Sequence, residues 1–149
     1  MDKIDRSILR ALQRNARASL QEIGSAVGLG ASTCWDRIKK LEQSGAIAGY
    51  TVRLDAQALG YHDTVLVQLT LDSHTDNTLE RFGEVLAAIP EVIECYLVSG
   101  DYDYLLRVAV KDTRDYERLL REKLYKIKGI RHSKSSFVLR TLKRADLPV

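Results

Sequence analysis

The sequence is poor in the residues that mark several large classes of protein. Its 149 residues include only two prolines, nine glycines and two cysteines, and 45% of them are hydrophobic. That balance argues against a collagen-like or disordered chain. No uninterrupted apolar run approaches the roughly 18 residues that cross a bilayer, and the start at 1–6 does not resemble a signal peptide. We therefore expect a globular protein that stays in the cytoplasm and has no membrane partner.

The usual signatures of catalysis are missing as well. The sequence has no phosphate-binding loop, no nucleophile with a base nearby and no metal-ligand spacing. His62, His74 and His132 are scattered along the chain, and we expect them to be surface residues. Cys34 and Cys95 are interpreted as small buried hydrophobes, with a redox switch as the alternative. We predict that the protein is not an enzyme and has no catalytic residue, metal site or cofactor.

Positive charge is concentrated in the first third of the chain. Residues 1–54 contain nine Lys or Arg and five Asp or Glu, a net charge of +4, whereas the remainder contains 14 and 15, a net charge of −1. A surface that binds a polyanion therefore belongs in residues 1–54.

Apolar spacing predicts three helices in this first third. An apolar stripe marks a helix over 2–14. Ser19 is a good N-cap for the second helix, Glu22 completes a capping box, and Gly28 ends that helix. A turn over 28–32 then leads into a third helix that reaches Ser44. This order is typical of a helix-turn-helix, although it also fits a solvated three-helix domain.

The third helix has one apolar and one polar face. Cys34, Ile38 and Leu41 recur at core spacing, and Trp35 beside them is either half-buried packing or a groove contact. The hydroxyls on the polar face can contact phosphates or base edges. The arginine can contact a guanine or a phosphate, and the lysines can contact phosphates. The residues predicted to contact double-stranded DNA are Ser32, Thr33, Asp36, Arg37, Lys39 and Lys40.

A strand-like stretch over 46–54 predicts a wing hairpin and a strand leading out of the domain. We place a winged helix-turn-helix domain at 1–54, a linker at 55–62 and a second domain at 63–149.

The second domain is predicted to have the order β-α-β-β-α-β of a ferredoxin-like fold, which makes the chain an α+β protein. The expected strands are 64–71, 92–99, 104–110 and 135–142, with helices over 77–88 and from Asp112 or Thr113 to Gly129. Helices cover one face of such a sheet. We expect the other face to bury apolar residues by sheet-to-sheet self-association, and assign to it Val67, Leu97, Leu106 and Val138.

Short motifs in this order resemble the leucine-responsive/asparagine-regulator (Lrp/AsnC) family of transcription regulators over nearly the whole chain. The motifs that carry the resemblance are Asp5–Leu9, Val27–Leu29, Cys34–Glu42, Gly45–Tyr50, Pro90–Val92, Val98–Leu106 and Leu147–Val149.

The resemblance implies a DNA reader joined to an amino-acid-sensing domain, in homodimers that often assemble into octamers. It also implies that the amino acid binds between dimers, against the loop before the third strand and near the start of the last strand. Arg131 is expected to bind either the carboxylate of the effector or an acidic group of a neighbouring subunit. For the loop, the alternative is a simple turn, because Gly-Asp in a hairpin is also an ordinary turn signal. The implied effector-binding residues are Gly100, Asp101, Tyr102, Asp103, Arg131, Ser133 and Ser135.

We therefore expect a nucleoid-associated, sequence-specific regulator whose assembly or DNA affinity responds to an amino acid. Two alternatives stay open at this point. One is an architectural DNA-compacting protein that ignores small molecules, and the other is a metabolic enzyme or its allosteric subunit.

Overall fold

The computed structural model describes residues 1–73, 75–145 and 147–149. They form two compact units, one of 1–53 with 143–149 and the other of 54–142. The sequence alone placed 143–149 in the second domain. In the structure this segment groups with the first unit, because its backbone and Val149 contact the first helix and its core.

The first unit contains three helices with well-defined ends. They are α1 (Lys3–Arg14), α2 (Leu20–Val27) and α3 (Ala31–Gln43). Asp2 caps α1, and Ser19 and Glu22 form the predicted capping box on α2. Gly28 ends α2 with a φ of 73°, a left-handed conformation that glycine adopts without steric cost.

The core of the first unit joins the inner faces of all three helices. Its buried members are Ile8, Leu9, Ile23, Cys34, Ile38 and Leu41. Residues 46–54 form no β-strand, so the predicted wing hairpin is not found in this segment. The segment 55–60 instead forms a turn in which the side chain of Asp55 accepts a hydrogen bond from the backbone of Ala58 at 2.9 Å.

The second unit is a four-stranded antiparallel sheet with helices packed on one face. Its elements are β1 (Asp63–Leu71), α4 (Asp76–Ala87), β2 (Val92–Leu97), β3 (Tyr104–Val110), α5 (Thr113–Glu122), a 3₁₀ turn (Leu124–Lys126) and β4 (Ile130–Phe137). The strand order is β2-β3-β1-β4, as the ferredoxin-like prediction requires. Asp112 is the N-cap of α5, which decides between the two residues considered from the sequence.

The last strand starts earlier than predicted. We expected it at 135–142, whereas β4 spans Ile130–Phe137. This stretch is almost entirely polar and exposed, so no apolar alternation marks it. It is an edge strand held by backbone pairing to β1, with a register shift between Thr70 and Leu71. The apolar residues beyond it are not buried: Leu139 is 98% and Leu142 83% exposed.

The register also corrects our assignment of the two sheet faces. Val67 pairs with Leu106, both are fully buried, and they lie on the face that packs against the helices. Leu97 pairs with Tyr104 and lies on that same face, so only Val138 of our four residues belongs to the helix-free face. The helix-free face also carries Leu66, Leu105 and Ala109, together with Tyr96, which pairs with Leu105.

Candidate functional site

The polar face of α3 is open to solvent in the first unit. Ser32 and Thr33 lie in its first turn and are exposed, as are Asp36, Lys39 and Lys40 further along. The buried side chains of Cys34, Ile38 and Leu41 fix the opposite face of the helix against the core. The helix therefore presents two hydroxyls and two ammonium groups along one outward ridge.

Trp35 stands beside this ridge with 48% of its surface exposed. The ammonium of Lys39 lies 5.6 Å from the centroid of its indole and 3.5 Å from a carboxylate oxygen of Glu42. Both contacts are near the surface, where such pairs contribute little to stability. Lys39 can therefore exchange them for a phosphate at small cost.

Arg37 is bound by two carboxylates of α1. Its Nη1 donates to Asp2 Oδ2 and to Asp5 Oδ1, each at 2.7 Å, and 29% of its side chain is exposed. The hydrogen bonds that Arg37 donates, first to Asp2 and then to Asp5, raise its pKa. The backbone N–H of Asp5, followed by the Arg37 guanidinium, lowers the pKa of Asp2 to about 2. The sequence did not reveal this link, which ties the start of α1 to the middle of α3.

The segments of the predicted effector site lie at one end of the sheet. The N–H of Asp103 donates to the carbonyl of Leu69 at 2.8 Å, and the N–H of Asp72 donates to the carbonyl of Gly129 at 2.9 Å. Because Leu69 also pairs with Ser133, the loop at 98–103 and the start of β4 flank the same end of β1. The two segments named from the sequence thus lie at the same end of the sheet.

The side chains at this end have different surroundings. Asp103 accepts the backbone N–H of Leu71 at 2.7 Å, so one of its oxygens fixes the loop to β1. Ser135 forms a hydrogen bond with the hydroxyl of Tyr116 on α5. Asp101, Arg131 and Ser133 are exposed with Gly100, and Tyr102 is partly buried.

An apolar groove borders the same loop. Its volume is about 300 Å³, and it lies between α4 and the ends of β2 and β3 that the loop connects. Its lining residues are Leu79, Glu80, Gly83, Ala87, Cys95, Leu97 and Tyr104. This groove was not predicted from the sequence, since its lining comes from elements separated along the chain.

Within the described ranges, no three His, Cys, Asp or Glu side chains are arranged to hold a metal ion. Over the same ranges, no helix has the length and apolar character needed to cross a membrane. His62 and His132 are exposed, and His74 lies outside the described residues.

Comparisons with known proteins agree with both units. The family model of the AsnC-type helix-turn-helix domain matches residues 1–42, and that of the Lrp/AsnC ligand binding domain matches 64–148. The leucine-responsive regulatory protein of Escherichia coli K12 is 36% identical over 146 residues, which cover 98% of this chain and 89% of that protein.

Solved structures give the same result. An AsnC family transcriptional regulator from Agrobacterium tumefaciens has a TM-score of 0.94 and 39% identity, covering 99% of this chain and 97% of that one. A transcriptional regulator from Neisseria meningitidis, solved with L-Met, has a TM-score of 0.91 and 29% identity, covering 97% and 93%. The resemblance drawn from the sequence is confirmed: the chain belongs to the Lrp/AsnC family of transcriptional regulators, with an AsnC-type helix-turn-helix domain and an Lrp/AsnC ligand-binding domain.

Proposed function

We propose that this regulator binds specific DNA sequences through α3 and that an amino acid changes its DNA affinity or its assembly. The observation that carries the proposal is the exposed ridge of α3, in which hydroxyls and ammonium groups share one face of a helix whose other face is buried. A helix of this kind fits the major groove, where side chains reach phosphates and base edges.

The side chains on and beside the ridge fall into three groups with different proposed roles. Lys39 and Lys40 neutralise phosphates, which supplies affinity and salt dependence but little sequence information. Ser32, Thr33 and Asp36 meet base edges or the backbone near the start of the helix. Arg37 contributes to the reader while it remains tied to α1.

Fluorescence anisotropy with operator DNA at several salt concentrations tests this interface. We expect Lys40→Gln to weaken binding to all DNA sequences alike. The slope of log K against log salt concentration should fall by about the amount that one phosphate contact contributes. Lys111→Gln is the matched control, since it removes an exposed lysine from the second unit. An unchanged slope in Lys40→Gln would remove this lysine from the interface.

The proposed effector site is the end of the sheet formed by the loop and the start of β4. Asp101 has an exposed carboxylate that can accept a hydrogen bond from the α-ammonium group of an amino acid, and Arg131 can bind its carboxylate. Asp103 positions the loop through Leu71. Gly100, Tyr102, Ser133 and Ser135 complete the proposed set. The apolar groove beside the loop favours an effector with an apolar side chain, and the L-Met complex of the Neisseria meningitidis relative supports this class.

Thermal shift with each of the twenty amino acids tests the effector, because a ligand that binds only the native state raises its stability. At one hundred times its Kd, a ligand adds about 2.7 kcal/mol. We expect at least one apolar amino acid to raise Tm, and Asp101→Ala to reduce that shift while Glu84→Ala on α4 preserves it. If no amino acid changes either Tm or DNA binding, the protein is an architectural DNA-binding protein instead.

We further propose a homodimer formed through the helix-free sheet face, with octamers as a higher assembly. The apolar residues Leu66, Leu105 and Val138 on this face are only partly covered in the single chain. A two-fold dimer presents two copies of α3 to half-sites one helical turn apart. Light scattering of Leu66→Asp is expected to show monomers, and an undiminished mass would exclude this face.

A further inference from the structure

Leu147 and Val149 follow the sheet in the chain but contact the helix-turn-helix unit. The Nε2 of Gln13 donates to the carbonyl of Leu147 at 3.0 Å, and the Nη1 of Arg10 donates to the carbonyl oxygen of Val149 at 3.2 Å. Val149 packs against the core of the unit. The side chain of Leu147 is 83% exposed, so α1 recognises the backbone at this position rather than the side chain.

The chain passes between the two units twice. The chain leaves the first unit after Arg53 and returns to it at Lys143. The segment that returns to the first unit is therefore a second route, besides the turn at 55–60, along which a change in one unit can reach the other.

The segment also continues directly from the proposed effector site. β4 carries Arg131, Ser133 and Ser135 and ends at Phe137. One further backbone hydrogen bond, from Val138 N–H to the carbonyl of Thr64 at 2.9 Å, extends the pairing to β1. Only residues 139–142 separate this pairing from the segment on α1.

The start of α1 is in turn bound to α3, the helix that we propose binds DNA. Arg37 on α3 binds Asp2 and Asp5 at the start of α1, and the buried faces of the two helices share one core. A displacement of α1 must therefore move α3 or break these contacts.

We propose that residues 143–149 are a tether that sets the position of α1 and carries the effector signal from β4 to the reader. The signalling part rests on the proposed function, whereas the positioning part does not. Two hydrogen bonds and one packed side chain suffice to protect α1 by about ten- to hundredfold in amide exchange.

The test compares one truncated chain and two point variants with the wild type. One stops after Leu142, the second is Gln13→Ala, and the control is Leu147→Ala, which keeps the backbone carbonyl that Gln13 binds. Amide exchange of α1 is measured by mass spectrometry, and DNA affinity is measured with and without the amino acid identified by thermal shift.

We expect the truncated chain to exchange α1 amides at least tenfold faster and to lose most of the effector-induced change in Kd. Gln13→Ala shifts both readouts in the same direction by less, and Leu147→Ala leaves both unchanged. Equal exchange of α1 in the truncated and intact chains would overturn the tether. Faster exchange with an intact effector response would overturn the signalling role.

A wild type that responds to no amino acid refutes the proposed effector rather than the positioning role. In that case the exchange of α1 and the affinity for DNA without effector still decide whether the segment positions the reader.

Discussion

Replacing Gly129 by alanine tests the packing that fixes the start of β4. Gly129 has a φ of 100°, and an added Cβ would lie 2.8 Å from Cζ of Phe82, closer than real Cβ contacts allow. Gly60 has a φ of 84° with nothing within 4 Å of the added atom, so Gly60→Ala measures the backbone cost alone. The two variants separate conformational strain from overlap.

The expected magnitudes follow from these two terms. A left-handed conformation costs an alanine about 1–2 kcal/mol, which we expect in both variants. Overpacking against Phe82, which packs on the core of the second unit, adds about 1–3 kcal/mol in Gly129→Ala only. For a domain of this size, each kcal/mol lowers Tm by roughly 4–8 °C. The difference between the variants should therefore be at least about 4 °C.

Urea unfolding monitored by circular dichroism gives the free energies of unfolding. Phe82→Leu shortens the opposing side chain, so in the Gly129→Ala background it should recover about 1 kcal/mol or more relative to its effect in the wild type. The reasoning is refuted if Gly129→Ala costs no more than Gly60→Ala. It is equally refuted if the double variant shows no coupling.

Two further predictions concern carboxylates. The lowered pKa of Asp2, about 2 against an ordinary 3.8, means that its stabilisation is complete above 3.8 and is lost as the pH falls toward 2. Acid unfolding of Asp2→Asn should therefore depend less on pH in that window, and an unchanged profile would show that the contact contributes nothing. Asp103→Ala leaves the N–H of Leu71 without its carboxylate acceptor and should cost about 1–3 kcal/mol. The exposed Asp101→Ala should cost under about 0.5 kcal/mol, and urea unfolding that ranks the two equally would contradict this assignment.

Local sequence signals predicted most of the elements of this fold. The capping box of Ser19 and Glu22, the glycine that ends α2 and the alternation of β1 act between near neighbours, so each is visible in a short window. The exposed ridge of α3 follows from helical spacing in the same way. These local features were enough to indicate a helix-turn-helix followed by a ferredoxin-like domain.

Contacts between distant residues decided the rest. β4 is a polar edge strand defined by backbone pairing with β1, and backbone pairing leaves no pattern in side-chain hydrophobicity. The partners of Arg37 are 32 and 35 positions away, and that of Gln13 is 134 positions away. Spacing within one helix identifies which side chains share a face, but only the tertiary structure determines what that face meets. For that reason helical spacing identified the exposed face of α3, while the carboxylates bound to Arg37 and the segment bound to α1 emerged only from the folded chain.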